Sequence, residues 1–359
     1  MPDSGLPPSP ALAAGLRYAS DAEPGIRRVR RGRGFGYVDA GGAPLRDAAM
    51  LARIRMLAIP PAYVDVWICA DPDGHLQATG RDARGRKQYR YHERWRTQRS
   101  QGKFGRMHDF GLRLPALRRC LRRDLELPGL PRTKVLAAVV SMLESTLVRV
   151  GNSEYARDNG SYGLTTLRDQ HVQFHSLVRA RLRFRGKSGQ PHDIELNDAR
   201  LIRIVRSCQE LPGQQLFQYL DAHGKPQRVD SGMVNEYLGQ AMGEDFTAKD
   251  FRTWGATLRA IACIGCVALP EPPSERALKA CISAAVKQVA AGLNNTPAVC
   301  RKSYIHPGVF EAWRAGALPG CARPRRGLRK AECEALAFLE AAAVTAPAAP
   351  ATRTGRPAR

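Results

Sequence analysis

An α+β protein in two parts is what this sequence predicts: a small β-rich module over residues 17–100, then a mostly α-helical module over residues 101–342 that carries a small antiparallel sheet. Three patterns point to it. Short alternating runs bounded by glycine and proline turns fill the first part, capped apolar runs at helical spacing fill the second, and one arginine-rich alternating stretch interrupts the helices. At roughly 150 residues per domain, 359 residues make about two domains, each able to bury a core without disulfides or a structural metal.

Residues 1–16, MPDSGLPPSPALAAGL, lack the basic start and apolar core of a signal peptide and read as a disordered lead. GFGYVD, Gly34 to Asp39, alternates around aromatic positions, and Gly41 with Gly42 would let the chain double back. Asp47 caps a helical run, DAAMLARIRMLA, which Pro60 and Pro61 stop. VWICA, the turn Asp71 to Gly74, and HLQATG then make a second hairpin. Beyond residue 100, Thr133 opens TKVLAAVVSMLESTLV, Thr247 and Asp250 form a capping box, and Ser274 opens a helix that ends at Gly292. Between Leu164 and Leu196 the pattern turns to β. There Val178, Ala180, Leu182 and Phe184 alternate with Arg179, Arg181, Arg183 and Arg185, giving one apolar face and one face of arginine. The hairpin tip GKSGQ carries Lys187. Residues 343–359 hold few large apolar groups and read as a disordered tail.

Fifty-six Lys and Arg against 33 Asp and Glu leave a formal charge of +23, so a polyanion is the natural partner. Arg27, Arg28, Arg30, Arg31 and Arg33 precede the first strand, and Arg81, Arg84, Arg86, Lys87 and Arg90 cluster after the second hairpin. Charges of one sign repel unless an anion compensates them, which favours nucleic acid over a merely solvated face. Within GRKQYRYH stand Gln88, Tyr89 and Tyr91. Glutamine reads adenine through two hydrogen bonds in the major groove, and tyrosine bonds phosphate or packs on bases; the alternative is a packed aromatic pair.

Several classes are disfavoured. The longest apolar stretch, Ala260 to Leu269, is too short to span a membrane, so none is expected. Nine cysteines, an odd number scattered at positions such as Cys69, Cys208, Cys281 and Cys333, suit reduced cytosolic thiols, and Cys263 with Cys266, a single CxxC in an apolar helical run, reads as core packing. GRGFG lacks the strand-then-helix setting of a dinucleotide loop, no GxxxxGKS or GxxxxGKT stretch occurs, and no HExxH arrangement is present. Neither ATP, a metal nor another cofactor is expected.

Three stretches, LVRVGNSEYARDNGSYGLTTLRDQHV, KDFRTWGAT and NNTPAVCRKSYIHP, resemble the type IB DNA topoisomerases. IPPAYVDVWI, GHLQATG and GRKQYRYH in the small module are similar to the short bacterial and poxvirus-like branch of that family, and the resemblance covers about residues 20 to 340. It implies a monomer whose β-rich domain and catalytic domain close on duplex DNA as a C-shaped clamp, a cytoplasmic and nucleoid-associated enzyme that relaxes supercoils without ATP or metal. Carried over by motif position, Tyr304 in RKSYIHP is the nucleophile, Arg149 in LVRVGN and Arg252 in KDFRTWG are the catalytic arginines, and Lys187 is the general acid. Many members carry His nine residues before the tyrosine; here, as in bacterial relatives, Asn295 stands there, and its amide still donates to a phosphate oxygen. The motif gives His306 no role, and Lys249 is structural or a DNA contact.

This chemistry is sound on its own terms. A phenol of pKa about 10 is mostly neutral at pH 7, so its attack on a phosphodiester needs proton removal and cations to stabilise the transition state. Guanidinium forks onto two nonbridging oxygens, whereas lysine can surrender a proton to the departing 5′ oxygen. Two rivals remain. A tyrosine recombinase shares the Tyr, Arg and Lys chemistry but typically has His three residues before the second arginine, where this chain has Lys249, and an architectural DNA binder would need only the charge.

Overall fold

The computed structural model describes residues 15–345, apart from 33, 84, 86, 244, 245, 319 and 321 and the side chains at 98–103, 154, 155, 158 and 345. Arg33, Arg84, Arg86 and most of both expected terminal segments lie outside the described residues. The chain divides after Gly105 into two compact units.

In the first unit, β1 (Ile26–Arg31), β2 (Gly34–Val38), β3 (Val64–Ile68), β4 (Leu76–Arg81) and β5 (Lys87–Tyr91) form one antiparallel sheet in the order β2-β1-β3-β4-β5. Asp47 accepts from the Ala49 and Met50 amides and so starts α1 (Ala48–Met56), as its sequence position predicts. Burying Ile54 of α1 against Ile26, Val66, Ile68 and Ala78 of the sheet makes the core, which Tyr37, Met50 and Ile59 extend.

Two expectations for this unit change. The Gly34–Val38 strand pairs backward with β1, Arg27 opposite Val38 through Arg31 opposite Gly34, while the Gly41 and Gly42 turn yields only a bridge from Val38 to Pro44. Four of the arginines expected before the first strand, Arg27, Arg28, Arg30 and Arg31, are therefore in the first strand, hidden in the sequence because only Ile26 and Val29 mark its apolar positions. Arg28 also faces inward: its guanidinium lies 4.2 Å from the Phe35 ring centre and donates to the carbonyls of Pro60 and Tyr63. Arg27, Arg30 and Arg31 stay exposed. Leu16, placed by sequence in the lead, is buried with Trp95 of α2 (Glu93–Gly105).

The second unit consists of α3 (Met107–Leu125), α4 (Arg132–Thr146), α5 (Ser153–Asn159), α6 (Ala199–Gln209), α7 (Ser231–Met242), α8 (Ala248–Gly265), α9 (Glu275–Gly292), α10 (Pro297–Ser303), α11 (Gly308–Arg314) and α12 (Lys330–Thr345). Between α5 and α6 lies the sheet of β6 (Val172–Phe174), β7 (Ala180–Arg185) and β8 (Pro191–Leu196), and between α6 and α7 a hairpin of β9 (Gln218–Leu220) and β10 (Pro226–Arg228). The Thr247 and Asp250 box starts α8 and Ser274 starts α9, both as expected; α4 starts one step early, with Pro131 at its cap and Thr133 already inside. Packed against α3, α4, α7, α9, α11 and α12, α8 is the central helix. Its Phe251 and Trp254 meet Phe110 of α3 edge-on, with ring centres 5.1 and 6.1 Å away.

Two further readings need correction. Cys266 caps the exposed end of α8 and Cys263 is only half-buried, so the CxxC pair sits where the helix leaves the core rather than within it. Residues 343–345, assigned to the tail, complete α12. Among the described residues no helix is long and apolar enough to cross a membrane.

Arg118 of α3 ties three helices together, reaching Glu144 of α4 at 2.6 Å and Glu332 of α12 at 2.5 Å, and Glu332 is only 2% exposed. Removing the cation would leave that buried carboxylate with only the Arg329 amide at 2.8 Å and the exposed Arg329 guanidinium at 4.0 Å. Arg118→Ala should therefore lower the unfolding free energy by about 3–5 kcal/mol, read from urea denaturation. An unchanged midpoint would mean the carboxylates find other partners.

Candidate active site

The site begins where α4 stops. Leu147 ends that helix in the left-handed conformation (φ 56°, ψ 20°), a geometry an L-residue adopts at a cost of roughly 1–2 kcal/mol. This turn aims the Leu147 carbonyl at Arg252 of α8, whose Nη1 donates to it while Nη2 donates to Leu293 O at 3.0 Å. The Leu147 side chain lies against Gly255, one turn along α8, where an added methyl would sit 2.4 Å from its Cδ1; no larger residue fits. Two residues on, Arg149 is fixed by its own backbone, its carbonyl accepting from Leu164 N at 3.0 Å, and its Nη2 donates to Asn295 Oδ1 at 2.7 Å.

Tyr304 arrives from the other side. Thr296 caps α10 and Pro297 fills its first turn, so the helix is one that starts sharply and delivers Tyr304 at its C-terminal end. Thr257 of α8 holds that end, its hydroxyl donating to Tyr304 O at 3.3 Å and accepting from His306 N at 3.1 Å. The Arg252 guanidinium carbon is 5.0 Å from the Tyr304 ring centre. Burial alone would push the Tyr304 hydroxyl up, but the charges of Arg252 and Arg149, with hydrogen bonds from both, overcome it and hold the phenol below its ordinary value.

Charge at this site is uncompensated. Arg252 is 3% exposed, and among the described residues no carboxylate pairs with it or with Arg149; burial first and Arg149 second make its own protonated form less favourable than usual. Arg252 Nε and Asn295 Nδ2 are buried donors with no partner. Each unpaired donor costs about 1–3 kcal/mol unless a ligand accepts from it. Two fixed cations and two idle donors around an acidified phenol suit an anionic tetrahedral group beside an oxygen nucleophile. Among the described residues no group of three or more His, Cys, Asp or Glu is placed to hold a metal ion.

Arg149, Arg252, Asn295 and Tyr304 are thus joined by direct contacts. Lys187 is not part of that cluster: it is exposed on the 186–190 turn, and among the described residues its ammonium forms no ion pair. The arginine face of β7 carries partners that its own strand pattern does not reveal. Asp193 of β8 takes Arg181 through both oxygens at 2.5 and 2.6 Å and Arg183 at 3.4 Å, and Glu195 is 4.0 Å from Arg179, while Arg185 stays exposed. Val178, expected on the apolar face, precedes the strand and is exposed.

On β5 the Tyr89 and Tyr91 rings stack at 6.0 Å yet remain 49% and 40% exposed, so the packed pair and the open aromatic surface coexist. Gln88 donates to Asp82 at 3.0 Å and Lys87 pairs with Asp21 at 2.5 Å; Arg86 is outside the described residues. His306 accepts from the Gly308 amide and packs edge-on against Phe338. Sequence reasoning missed Leu147, Leu293 and Thr257. Two of them act through backbone carbonyls, which leave no side-chain signal, and only the place of Thr257 inside KDFRTWGAT could have flagged it.

The acidity of Tyr304 is measurable. An ultraviolet pH titration, with Tyr304→Phe subtracted, should show the phenol ionising below its usual value of about 10. Arg149→Gln removes a cation that favours the phenolate, so the midpoint should rise; an unmoved midpoint would separate Arg149 from the hydroxyl.

Comparison with known proteins identifies the family. The family described as eukaryotic DNA topoisomerase I, catalytic core, matches residues 92–315, which contain all four clustered residues and Lys187. The bacterial DNA topoisomerase IB N-terminal domain matches residues 34–82. DNA topoisomerase 1B of Acanthamoeba polyphaga mimivirus is 36% identical over 269 residues, covering 74% of this chain and 80% of that protein. The chain therefore belongs to the type IB DNA topoisomerases, isomerases that bind DNA and relax its supercoils.

Proposed function

We propose that Tyr304 cuts one strand of duplex DNA and holds it as a 3′-phosphotyrosyl ester while the other end rotates. The observation that carries this reading is the pair Arg149 and Arg252 flanking an acidified Tyr304 with no carboxylate among the described residues to neutralise them. Tyr304 Oη attacks phosphorus, its proton leaving to solvent, and the bond from phosphorus to the 5′ oxygen breaks. Arg149 and Arg252 stabilise the charge building on the nonbridging oxygens, and Asn295 Nδ2 donates to one of them. Lys187 gives its proton to the departing 5′ oxygen. Because one phosphodiester replaces another, the 5′ hydroxyl reverses the step without a nucleotide, and supercoil strain drives the rotation between.

In the same reading the protein is a monomer at the nucleoid, its domains over 17–100 and 101–342 closing on DNA as a C-shaped clamp. Lys87, Gln88, Tyr89, Tyr91 and Arg86 of the small domain face the duplex, and Arg179, Arg181, Arg183 and Arg185 follow a phosphate backbone toward Lys187. Exposed ion pairs such as Arg181 with Asp193 hold only weakly in water, so phosphate can displace them.

Tyr304→Phe should bind duplex DNA nearly as tightly as the wild type, one hydroxyl being a single contact among many, and should give no covalent adduct when the reaction is stopped with denaturant. An adduct of normal yield would move the nucleophile elsewhere. Relaxation of a supercoiled plasmid should also persist in EDTA, because Arg149 and Arg252 supply permanent cations. Loss on chelation with recovery in magnesium would overturn that mechanism.

A further inference from the structure

His192 is a buried imidazole that the proposed chemistry leaves unused. It stands on β8 directly opposite Phe184 of β7, the two rings lying flat on each other at 4.7 Å and 2°. One edge of the ring meets the turn that carries Lys187. Gly186, the residue before Lys187, has ordinary extended backbone (φ −91°, ψ −164°) that any residue could adopt, yet a methyl there would sit 2.5 Å from His192 Nε2 and 2.6 Å from Cδ2. Glycine is needed at 186 because of the imidazole, not because of the turn.

The other edge meets the segment that holds the arginines. Asn294 Nδ2 donates to His192 Nδ1 at 3.1 Å and to Pro191 O at 3.2 Å. Its two neighbours in the chain hold the site: Leu293 O takes Arg252 and Asn295 Oδ1 takes Arg149. Accepting at Nδ1 puts the ring proton on Nε2, over Gly186. Burial, with Arg149 and Arg252 adding to it, pushes His192 down to about 4, so the ring is neutral at physiological pH and puts no further charge beside the guanidiniums.

We propose that His192 is a positioning residue for the DNA cleavage step: its ring, wedged between Gly186 and Asn294, fixes the Lys187 turn at a set distance from Arg149, Arg252 and Asn295. Lys187 has no partner among the described residues to hold its ammonium, so the place of its backbone decides where that ammonium can reach. The inference rests on the reading of Lys187 as a participant in cleavage.

The test is single-turnover cleavage of a duplex by His192→Ala, Gly186→Ala, Lys187→Ala and the double variants, with melting temperatures recorded alongside. Misplacing a reacting group by about 1 Å costs on the order of 10²-fold, so His192→Ala should lose up to that factor. Gly186→Ala should show the same kind of loss, by pressing on the ring. Acting only through Lys187, neither change should slow the Lys187→Ala enzyme further. Should His192→Ala melt too low to assay, Gly186→Ala on the Lys187→Ala background answers the same question. A loss that multiplies in full with that of Lys187→Ala, or no loss at all, overturns the inference. A second DNA with sulfur in place of the leaving 5′ oxygen tests the underlying reading separately, because a thiolate leaves without protonation. If Lys187→Ala stays equally slow on it, the general-acid role fails, while the double-variant comparison still decides whether His192 works through Lys187.

Discussion

A guanidinium buried without a carboxylate is the constraint around which the larger unit is arranged. Taking a cation out of water costs several kcal/mol unless nearby groups replace its hydration. Arg252 is answered by two backbone carbonyls, Leu147 O and Leu293 O, and by the face of Tyr304. A carboxylate in their place would cancel the charge. Carbonyl dipoles solvate the cation and leave its full charge, which in the proposed mechanism is what stabilises the phosphate transition state.

That choice propagates outward. To point its carbonyl inward, Leu147 takes a left-handed backbone, and the segment after α9 does likewise at Asn294 (φ 49°) between Leu293 and Asn295. Non-glycine residues hold such conformations only where the surroundings determine them. Here Gly255 makes room for the Leu147 side chain, and Asn294 commits its amide to Pro191 and His192. The strain, the close-packed glycines and the proposed active site are therefore one arrangement seen at different residues.

Legibility from sequence followed the kind of signal each part leaves. Helix caps at Asp47, Thr247 and Ser274 were readable because capping depends on side-chain oxygen at a fixed offset from an apolar run. Arg149, Arg252, Asn295 and Tyr304 were readable only through motif resemblance, since nothing in spacing alone joins residue 149 to residue 295. β1 was missed because a strand of mostly arginine has no apolar alternation to announce it, and β5 because its tyrosines and arginines read first as a binding surface. The partners of the β7 arginines were missed for a further reason. Asp193 and Glu195 face them across the ladder, a juxtaposition that exists only once the register of β7 with β8 is known.

The same contrast separates two kinds of cation in a chain with a formal charge of +23. Arg181 and Arg183 of β7 have Asp193, and Lys87 has Asp21, so their charge is partly masked and their side chains are held in place at little energetic cost. Such groups attract any phosphate backbone and release it readily. Arg149 and Arg252 have no acidic neighbour among the described residues and press on a single phenol, and Arg252, only 3% exposed, lies in low dielectric where its charge counts for more. In the proposed reading the two divide the work: ion-paired cations such as Arg181 and Lys87 help gather DNA, and the unpaired charge beside Tyr304 makes one phosphodiester reactive.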